Sequence, residues 1–383
     1  MQRDAAALKA ALADLEQRNL KRTRRVMPRH DLVDFCSNDY LGLKNHLDVV
    51  RAFTAAAEKY GVGSGASHLV TGHGIEHEAL EAELAAFTGR ERALVFSTGY
   101  MANLGVIGAL ADQKSLIVAD KLNHASLIDG CRLAGGTVKR FRHGDAAHAR
   151  EQFGAGEPGS TRLLVTDGVF SMDGDVAPLP ELVRLANGAN AWLIVDDAHA
   201  FGVVGATGRG TTEHFRLSAH DVPVVIGTFG KAFGTFGAFV AGDADLIEYL
   251  VQKARPYIYT TALPPAVAAA TRAALALSDR ESWRREKVLA HARRFRTAMI
   301  ERGFAKMLPI TDVITPIQPL ILGEEERALS VSRALEAKGL LIAAIRPPTV
   351  PAGTARLRIT FSAAHEESHI SRLIDAVSAI LSP

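Results

Sequence analysis

From about residue 46 onward, helix-like patterns alternate with short apolar runs, and this alternation is what most limits the folds open to the chain. The runs are continuous in Val, Ile and Leu and lack strict alternation with polar residues, which is typical of strands covered on both faces. They span residues 92–96, 115–119, 137–141, 162–166, 191–196, 223–228 and 237–241. The pattern predicts an α/β fold in which a mostly parallel sheet lies between helices.

The chain is long enough for more than one domain, because its 383 residues exceed the roughly 250–300 at which one hydrophobic core usually stops growing. Residues 1–45 predict an N-terminal helix followed by a basic arm, and residues 46–283 hold the seven runs of a large domain. In residues 284–383 a helix, a strand, a helix, two further strands and a closing helix follow one another. That order predicts a smaller α+β domain at the C-terminus.

Residues 222–242 resemble a membrane span, since Lys231 is the single charge in this apolar segment. Five glycines and a proline argue against a helix, however, and an isolated lysine is costly in lipid. We interpret the segment as two buried strands on either side of an unusual lysine.

The charges of the chain nearly cancel, since 44 Lys and Arg residues and 42 Asp and Glu residues give a formal net charge of +2. A field this weak argues against a nucleic-acid or membrane partner and favours a small ligand. The two cysteines are too few for a disulfide framework, and no cluster has the spacing of a metal site. The N-terminus lacks the apolar stretch of an export signal, so we expect a cytoplasmic protein.

Polar residues that end the apolar runs are the first candidates for a site, because ligands of open parallel sheets bind beyond the carboxyl ends of the strands. Residues 97–103 follow one run with hydroxyls and a glycine and open a helix, whose N-terminus attracts phosphate. Asp196, Asp197 and His199 follow another run, where a buried carboxylate needs a polar partner. An ordinary capped turn and a structural histidine remain the alternatives at these two places.

Lys231 lies among apolar residues and glycines, where a desolvated amine loses its proton easily, as a lysine that forms a Schiff base requires. A snorkelling or ion-paired side chain is the alternative. Lys231 comes one strand–helix–strand step after Asp196, so neighbouring strands can bring both to one pocket. An amine, a carboxylate and a phosphate cradle are what pyridoxal phosphate needs, and His124, just after a run, offers a flat group to cover its ring.

Five segments carry a resemblance to a known family: residues 37–43 read SNDYLGL, 122–126 LNHAS, 168–175 GVFSMDGD, 195–199 VDDAH and 227–231 GTFGK. Over nearly its whole length the chain resembles the α-oxoamine synthases, which are pyridoxal phosphate enzymes of the aspartate aminotransferase fold. The resemblance implies a transferase of fold type I with a seven-stranded sheet. It also implies a homodimer whose active site lies near the subunit interface.

The resemblance gives each candidate residue a role. Lys231 would bind the cofactor aldehyde, Asp196 the pyridine nitrogen and His199 the phenolic oxygen, while His124 would stack on the ring and contact substrate. The cofactor pocket would be completed by Gly99, Tyr100, Ser171 and Thr228.

Substrate contacts follow from the same resemblance. Arg358 would bind the amino-acid carboxylate, and Thr349 and Arg22 would contact the acyl substrate. The basic arm also contains Lys21, Arg24 and Arg25, so which of its residues aligns is open, and a solvated basic face is the alternative. Thr260 or Thr261 would reach the phosphate across the dimer interface.

Residues 317–320 and 345–358 most resemble the members of the family that condense L-alanine with a pimeloyl thioester in biotin biosynthesis. The resemblance therefore implies a decarboxylative condensation in which coenzyme A or an acyl carrier protein is released. A sibling enzyme such as glycine C-acetyltransferase is the nearest alternative. A nucleotide-dependent oxidoreductase is disfavoured, because no Gly-x-Gly-x-x-Gly follows the first strand, and a non-catalytic binding protein would need another use for the lysine pocket.

Overall fold

The computed structural model describes residues 5–24, 26, 32–154 and 159–382. The helices are α1 (Ala5–Gln17), α2 (Leu47–Tyr60), α3 (Ile75–Thr88), α4 (Gly99–Leu110), α5 (Ala125–Leu133), α6 (Ala146–Phe153), α7 (Leu179–Ala189), α8 (Gly210–His214), α9 (Ala244–Lys253), α10 (Arg255–Ile258), α11 (Pro265–Arg280), α12 (Trp283–Glu301), α13 (Glu325–Ala337) and α14 (Glu367–Leu381). The strands are β1 (Val33–Asp34), β2 (Arg92–Phe96), β3 (Leu116–Asp120), β4 (Thr137–Phe141), β5 (Arg162–Asp167), β6 (Trp192–Asp196), β7 (Val224–Thr228), β8 (Ala238–Gly242), β9 (Ile317–Gly323), β10 (Leu340–Leu341), β11 (Ala343–Ile345) and β12 (Ala355–Thr360). A π-helical turn (His68–Gly72) and a 3₁₀ turn (Ala305–Met307) complete the set for these residues.

Seven strands form one sheet in the order β2-β8-β7-β6-β5-β3-β4. Strand β8 is antiparallel to both of its neighbours, and the other pairings are parallel. All seven predicted runs are strands, and each observed end lies within one residue of the predicted one. The prediction of a mostly parallel α/β sheet is confirmed.

Both faces of this sheet are covered except at the edge strand β4, which is mostly exposed, and this cover explains why the other strands lack an alternating polar pattern. Along β6, Leu193 and Val195 belong to one apolar cluster, whereas Ile194 between them belongs to a second cluster on the other face. Each of these three side chains is 0% exposed. The continuous apolar run is therefore the direct consequence of burial on two sides.

The segment that resembled a membrane span consists of β7, β8 and the turn between them, which contains Lys231. The interpretation as two buried strands is confirmed. No helix among the described residues is both long and apolar enough to cross a membrane.

The C-terminal part of the chain has its own antiparallel sheet in the order β11-β12-β9, followed in sequence by α14. Where we predicted two strands after α13, the structure has three, because β10 is a separate short strand that pairs with β1 near the N-terminus. Two residues per strand are too few to give a periodic signal. We propose the domain boundary near residue 283, where α12 begins and the strands of the large sheet have ended.

The turn that carries Lys231 is fixed by close packing against the N-terminal segment. Gly234 has φ +68°, and a Cβ atom built on it would lie 2.4 Å from the backbone nitrogen of Lys44. Its amide donates to the carbonyl of Lys231, and Thr235 donates to the carbonyl of Phe229. Only a residue without a side chain fits this turn, because neither the backbone angle nor the backbone of Lys44 can yield.

We expect Gly234→Ala to lower the free energy of unfolding by roughly 2 to 4 kcal/mol, the sum of left-handed backbone strain and steric overlap. Gly303→Ala is the matched control, because Gly303 also has positive φ (+87°) but a Cβ atom built on it would have no neighbour within 4 Å. This control should cost about 1 kcal/mol. Urea unfolding followed by circular dichroism measures both, and equal losses would contradict the packing argument.

Candidate active site

Three neighbouring parallel strands end at the same edge of the large sheet. Asp167 at the end of β5 pairs in register with Asp196 at the end of β6, and Asp196 in turn pairs with Ile226 of β7. Beyond β7 the chain reaches Lys231 within three residues. The carboxyl edge of the sheet thus collects two carboxyl groups and one amine, as expected for the ligand-binding edge of such a fold.

Lys231 is a half-buried residue, and desolvation is the strongest influence on the charge of its amine. Burial lowers the pKa of Lys231 to about 8, against the opposing effect of the carboxylates of Asp196 and Asp167. A substantial fraction of the amine is therefore unprotonated near neutral pH. This is the property that an amine needs to act as a nucleophile or a base.

Asp196 is 6% exposed and is held by hydrogen bonds to both of its oxygens. Oδ1 accepts from the backbone N–H of Ala198 at 3.0 Å, and Oδ2 accepts from Nδ2 of Asn103 at 2.6 Å. Nδ2 of Asn103 also donates to Ser126 at 2.8 Å. The carboxyl group is thereby fixed in place by two neutral donors.

Asn103 leaves its amide oxygen buried with no hydrogen-bond partner among the described residues. Such an unpaired acceptor costs free energy. A bound group with an N–H donor next to Asp196 would offset that cost. An orphaned acceptor beside the fixed carboxyl group of Asp196 fits a heterocycle that carries an N–H donor.

His124 caps α5 and presents an imidazole at the same edge. Its backbone N–H donates to Asp167 at 2.6 Å, and its Nδ1 lies 2.6 Å from the hydroxyl of Ser126 and accepts from the backbone N–H of Ser126 at 3.3 Å. Because Nδ1 is an acceptor, the proton of the neutral ring lies on Nε2. Desolvation lowers the pKa of His124, although part of the residue remains exposed.

His199 lies deeper, with 6% exposure. Its Nδ1 is 2.7 Å from the hydroxyl of Tyr40. Burial lowers the pKa of His199 well below its usual range, and the neighbouring Lys231, Arg358 and His124 lower it further. These mutual effects show that Lys231, Asp196, His124 and His199 lie near one another at the carboxyl edge of the sheet.

The N-terminus of α4 faces the end of β7. Thr98 caps this helix by accepting from Met101 at 3.1 Å, and a Cβ atom built on Gly99 would lie 4.0 Å from Cβ of Thr228. The first amides of α4, at Gly99 and Tyr100, have no carbonyl within the helix to bond and can bind an anion. The hydroxyl of Tyr100 itself bonds to Asp129.

Arg358 of β12 reaches this region from the C-terminal sheet. Its Nε donates to the carbonyl of Ser171, and Nη1 and Nη2 each donate to Oδ1 of Asn38 at 3.1 Å. Three N–H groups are used in this way, and the remaining N–H groups can bind a carboxylate. The contact of Ser171 is through its backbone, so its hydroxyl is left for other partners.

Arg22 of the basic arm donates a hydrogen bond to the hydroxyl of Thr349 in the C-terminal part of the chain, at 3.0 Å. Among the described residues this is the one side-chain to side-chain hydrogen bond between the arm and that part. Lys21 pairs instead with Glu16 of α1 at 2.9 Å. Arg25 lies outside the described residues. The structure therefore brings together the two residues that the resemblance assigns to the acyl substrate, Arg22 and Thr349.

Two loops of the site are joined by His143. Its Nδ1 lies 3.1 Å from Asp120, and its Nε2 lies 2.8 Å from Asp175. Asp120 starts the loop that leads to His124, and Asp175 ends the loop that contains Ser171. Because both ring nitrogens face carboxylate oxygens, which only accept, His143 is a doubly protonated imidazolium.

A separate group of polar side chains consists of His73, Glu78 and Glu81, whose potential ligand atoms lie within 4.8 Å of one another. His73 bonds to Glu78 at 3.1 Å and to His68 at 2.9 Å, and Glu81 accepts the backbone N–H of Val95 at 2.9 Å. These bonds already pair the groups with protein partners. That the chain has no metal site stays a prediction.

Sequence reasoning left several of these residues without a role. Asp167 ends a strand as Asp196 does, but we predicted that strand to end one residue earlier. Asn103 and Tyr40 lie within segments that we had singled out, yet nothing local indicates that they bond to Asp196 and His199. For His143, the only indication of a role in the sequence is that this residue follows a strand.

Comparisons with known proteins identify the family of the chain. The family model described as aminotransferase class I and II matches residues 30–377. An 8-amino-7-oxononanoate synthase of Methylococcus capsulatus (strain ATCC 33009 / NCIMB 11132 / Bath) is 56% identical over 382 residues, covering 96% of this chain and 97% of the relative. Another, of Cellvibrio japonicus (strain Ueda107), is 55% identical over 347 residues, covering 91% and 86%.

Two solved structures resemble the chain closely. Serine palmitoyltransferase from S. paucimobilis has a TM-score of 0.90 at 32% identity and covers 99% of this chain and 98% of its own. The 8-amino-7-oxononanoate synthase of Francisella tularensis has a TM-score of 0.79 at 30% identity, with coverage of 91% and 97%.

The fold and the site define a pyridoxal phosphate-dependent enzyme of fold type I, and the chain belongs to the aminotransferase class I and II family. The predicted fold is thereby confirmed, and the α-oxoamine synthase resemblance fits these findings. Within the family the chain groups with the 8-amino-7-oxononanoate synthases, to which it is similar over nearly its full length.

The charge of His143 makes a pH-dependent contribution to stability. Burial by itself would lower its pKa, but the hydrogen bonds to Asp120 and Asp175 outweigh burial and raise the pKa to about 10, from 6.5 in the unfolded chain. The folded state therefore binds the proton of His143 more tightly than the unfolded state does. The stabilisation is complete below about pH 6.5 and is lost as the pH rises through about 10.

We expect His143→Gln to be most destabilising at pH 6 and progressively less so toward pH 10. The difference in free energy of unfolding from the unsubstituted protein, measured in urea across this range, tests the sign. His220→Gln, at an exposed histidine, is the control for general effects. A difference that does not shrink at alkaline pH would contradict the imidazolium assignment.

Proposed function

We propose that the chain condenses L-alanine with a pimeloyl thioester to give 8-amino-7-oxononanoate, carbon dioxide and the free carrier, in biotin biosynthesis. It is an acyltransferase, and pyridoxal phosphate is its cofactor. The observation that carries the proposal is a desolvated amine, Lys231, in the field of a fixed carboxylate, Asp196, at the carboxyl edge of the sheet. The relatives of 55–56% identity that bear the synthase name support the choice of substrates.

Each part of the cofactor has a counterpart among the residues of the site. Pyridoxal phosphate, when bound, supplies an electron sink for the negative charge that develops on the amino-acid α-carbon. Lys231 would bind its aldehyde, Asp196 its pyridine nitrogen and His199 its phenolic oxygen. The remaining cofactor contacts would come from Gly99, Tyr100, His124, Ser171 and Thr228.

Lys231 would also move the proton of the α-carbon. With a pKa of about 8, its amine exchanges a proton readily near neutral pH. Asp196 would keep the pyridine nitrogen protonated, because a fixed carboxylate stabilises an adjacent positive charge. The two groups act on opposite ends of the same conjugated system.

Arg358 would hold the carboxylate of alanine through the N–H groups that Asn38 and Ser171 leave unused. A planar guanidinium fixed on three sides can orient the amino acid with little loss of its own freedom. The α-hydrogen is thereby directed toward the amine of Lys231.

His124 would donate a proton during the loss of carbon dioxide. Its acceptor bond at Nδ1 leaves the proton of the neutral ring on Nε2, where it can donate a hydrogen bond, and the ring would transfer a proton in its imidazolium form, which a histidine reaches close to neutral pH. The exposed surface of this residue also suits a group that covers a flat ring.

The acyl chain would be recognised by the basic arm. Arg22 and Thr349 form a polar pair at a distance of 3.0 Å, and an arginine is suited to the distal carboxylate of a pimeloyl group. Either coenzyme A or an acyl carrier protein would be the leaving carrier.

The enzyme would act as a cytoplasmic homodimer with its site near the subunit interface. Apolar residues are exposed close to the site: Val62, Leu69, Val70, Ile75 and Tyr259. The segments that carry them touch one another through the bond of Ala262 to Ala66, and the adjacent Thr261 lies within reach of Ser97. A cluster of this kind suits burial by a second copy, with Thr260 or Thr261 serving the partner's phosphate site.

Product analysis by mass spectrometry tests the function. The purified protein with pyridoxal phosphate should form 8-amino-7-oxononanoate from L-alanine and pimeloyl-CoA, or from pimeloyl-acyl carrier protein. Glycine with acetyl-CoA should give little product, whereas preference for that pair would identify the sibling activity. Lys231→Ala is the matched control and should lose both product, by ~10³-fold or more, and the visible absorption band of lysine-bound cofactor. An unchanged band would contradict the role of Lys231.

The role of the arm is tested with a pair of basic residues. We expect Arg22→Ala to raise the KM for the pimeloyl donor roughly tenfold or more, because a charge-assisted hydrogen bond is lost. The KM for alanine should stay the same. Lys21→Ala is the control, since Lys21 pairs with Glu16 of its own helix region. Equal effects of the two substitutions on the donor would refute a specific contact at Arg22.

A further inference from the structure

Tyr40 is a fully buried side chain that touches two polar groups of the site. It is 0% exposed, and its hydroxyl lies 2.7 Å from Nδ1 of His199 and 3.2 Å from Oδ1 of Asn38. Neither the sequence nor the family resemblance gave this residue a role. Its single hydroxyl proton can go to only one of the two neighbours.

The surroundings of Asn38 decide where the proton goes. Oδ1 of Asn38 already accepts two N–H groups from Arg358, each at 3.1 Å. Its two lone pairs are thus in use, and the 3.2 Å contact with Tyr40 is longer than an ordinary O–H···O bond. The short contact with His199 is therefore the one that receives the proton.

Two further facts support donation of the Tyr40 proton to His199. Burial raises the pKa of Tyr40 to about 12, so the hydroxyl keeps a proton to donate. The groups that face His199 are the amine of Lys231, the guanidinium of Arg358 and the imidazole of His124, and with desolvation they favour a neutral ring. A neutral imidazole that accepts at Nδ1 carries its proton on Nε2.

We propose that Tyr40 is a positioning residue that donates to Nδ1 of His199 and thereby fixes the Nε2–H tautomer of that histidine. Nε2 has no hydrogen-bond partner among the described residues, so its N–H is left to donate to the phenolic oxygen of the cofactor. This inference rests on the proposed function. It also gives Arg358, Asn38, Tyr40 and His199 one continuous chain of contacts, from the carboxylate-binding arginine to the cofactor.

The visible band of the holoenzyme reports on this donor. A proton donor at the phenolic oxygen favours its anionic form, so Tyr40→Phe should raise the midpoint of the pH titration of the band by roughly one pH unit. Tyr257→Phe is the matched control, because Tyr257 is also buried (4% exposed) but packs against His68. Its titration should match that of the unsubstituted protein.

A double substitution separates a tautomer effect from a general structural one. In a His199→Gln protein the amide presents its own N–H, so Tyr40→Phe should cause no further shift of the midpoint. An equal shift in both backgrounds, or no shift in either, would overturn the proposal. If no visible band forms with added pyridoxal phosphate even in the unsubstituted protein, the proposed function itself fails.

Nitrogen-15 NMR of histidine-labelled holoenzyme gives a readout that needs no substitution at Tyr40. The His199 signals, assigned by their absence in His199→Gln, should report a proton on Nε2 and none on Nδ1. The opposite pattern would overturn the proposal even if Tyr40→Phe does not fold.

Discussion

The removal of the Lys231 amine from water, in the field of Asp196 and Asp167, is the constraint on which the rest of the structure depends. Desolvation favours the neutral amine, whereas Asp196 and, to a lesser degree, Asp167 favour the cation, and the balance brings the pKa of Lys231 to about 8. Burial and the neighbouring Asp196 raise the pKa of Asp167 well above its usual range. This balance exists only because β5 and β6 pair in a register that sets Asp167 beside Asp196, while the next strand leads to the lysine. A shift of the register would move the carboxylates and change the charge state of the amine.

Around this centre, the site is held by contacts between segments that are distant in the sequence. Lys44 packs on the turn at Gly234, and His143 bridges the loops of His124 and Ser171 with two charged hydrogen bonds. Each loop is therefore fixed by a second element and not by its own conformation alone. Rigid support of this kind is what a cofactor enzyme needs, because the direction of each proton transfer depends on orientation.

The fold by itself does not determine which acyl substrate the enzyme uses. Serine palmitoyltransferase has a TM-score of 0.90 with this chain at 32% identity, so an enzyme with a different name shares the architecture. What distinguishes this chain from serine palmitoyltransferase is its higher identity with the 8-amino-7-oxononanoate synthases and, in our proposal, the basic arm. Arg22 and Thr349 lie outside the large sheet and can vary without disturbing Lys231 or Asp196.

The sequence determined the elements and most of the candidate residues, because continuous apolar runs and the polar residues that end them are local signals. The seven strands, the lysine between two of them and Asp196 were all predictable in this way. The tertiary structure alone decided the partners: Asn38 meets Arg358, Tyr40 meets His199, and Arg22 meets Thr349. It also added β10, which exists only through its pairing with β1. No local pattern encodes these contacts, since each forms only when packing of the core brings remote segments together.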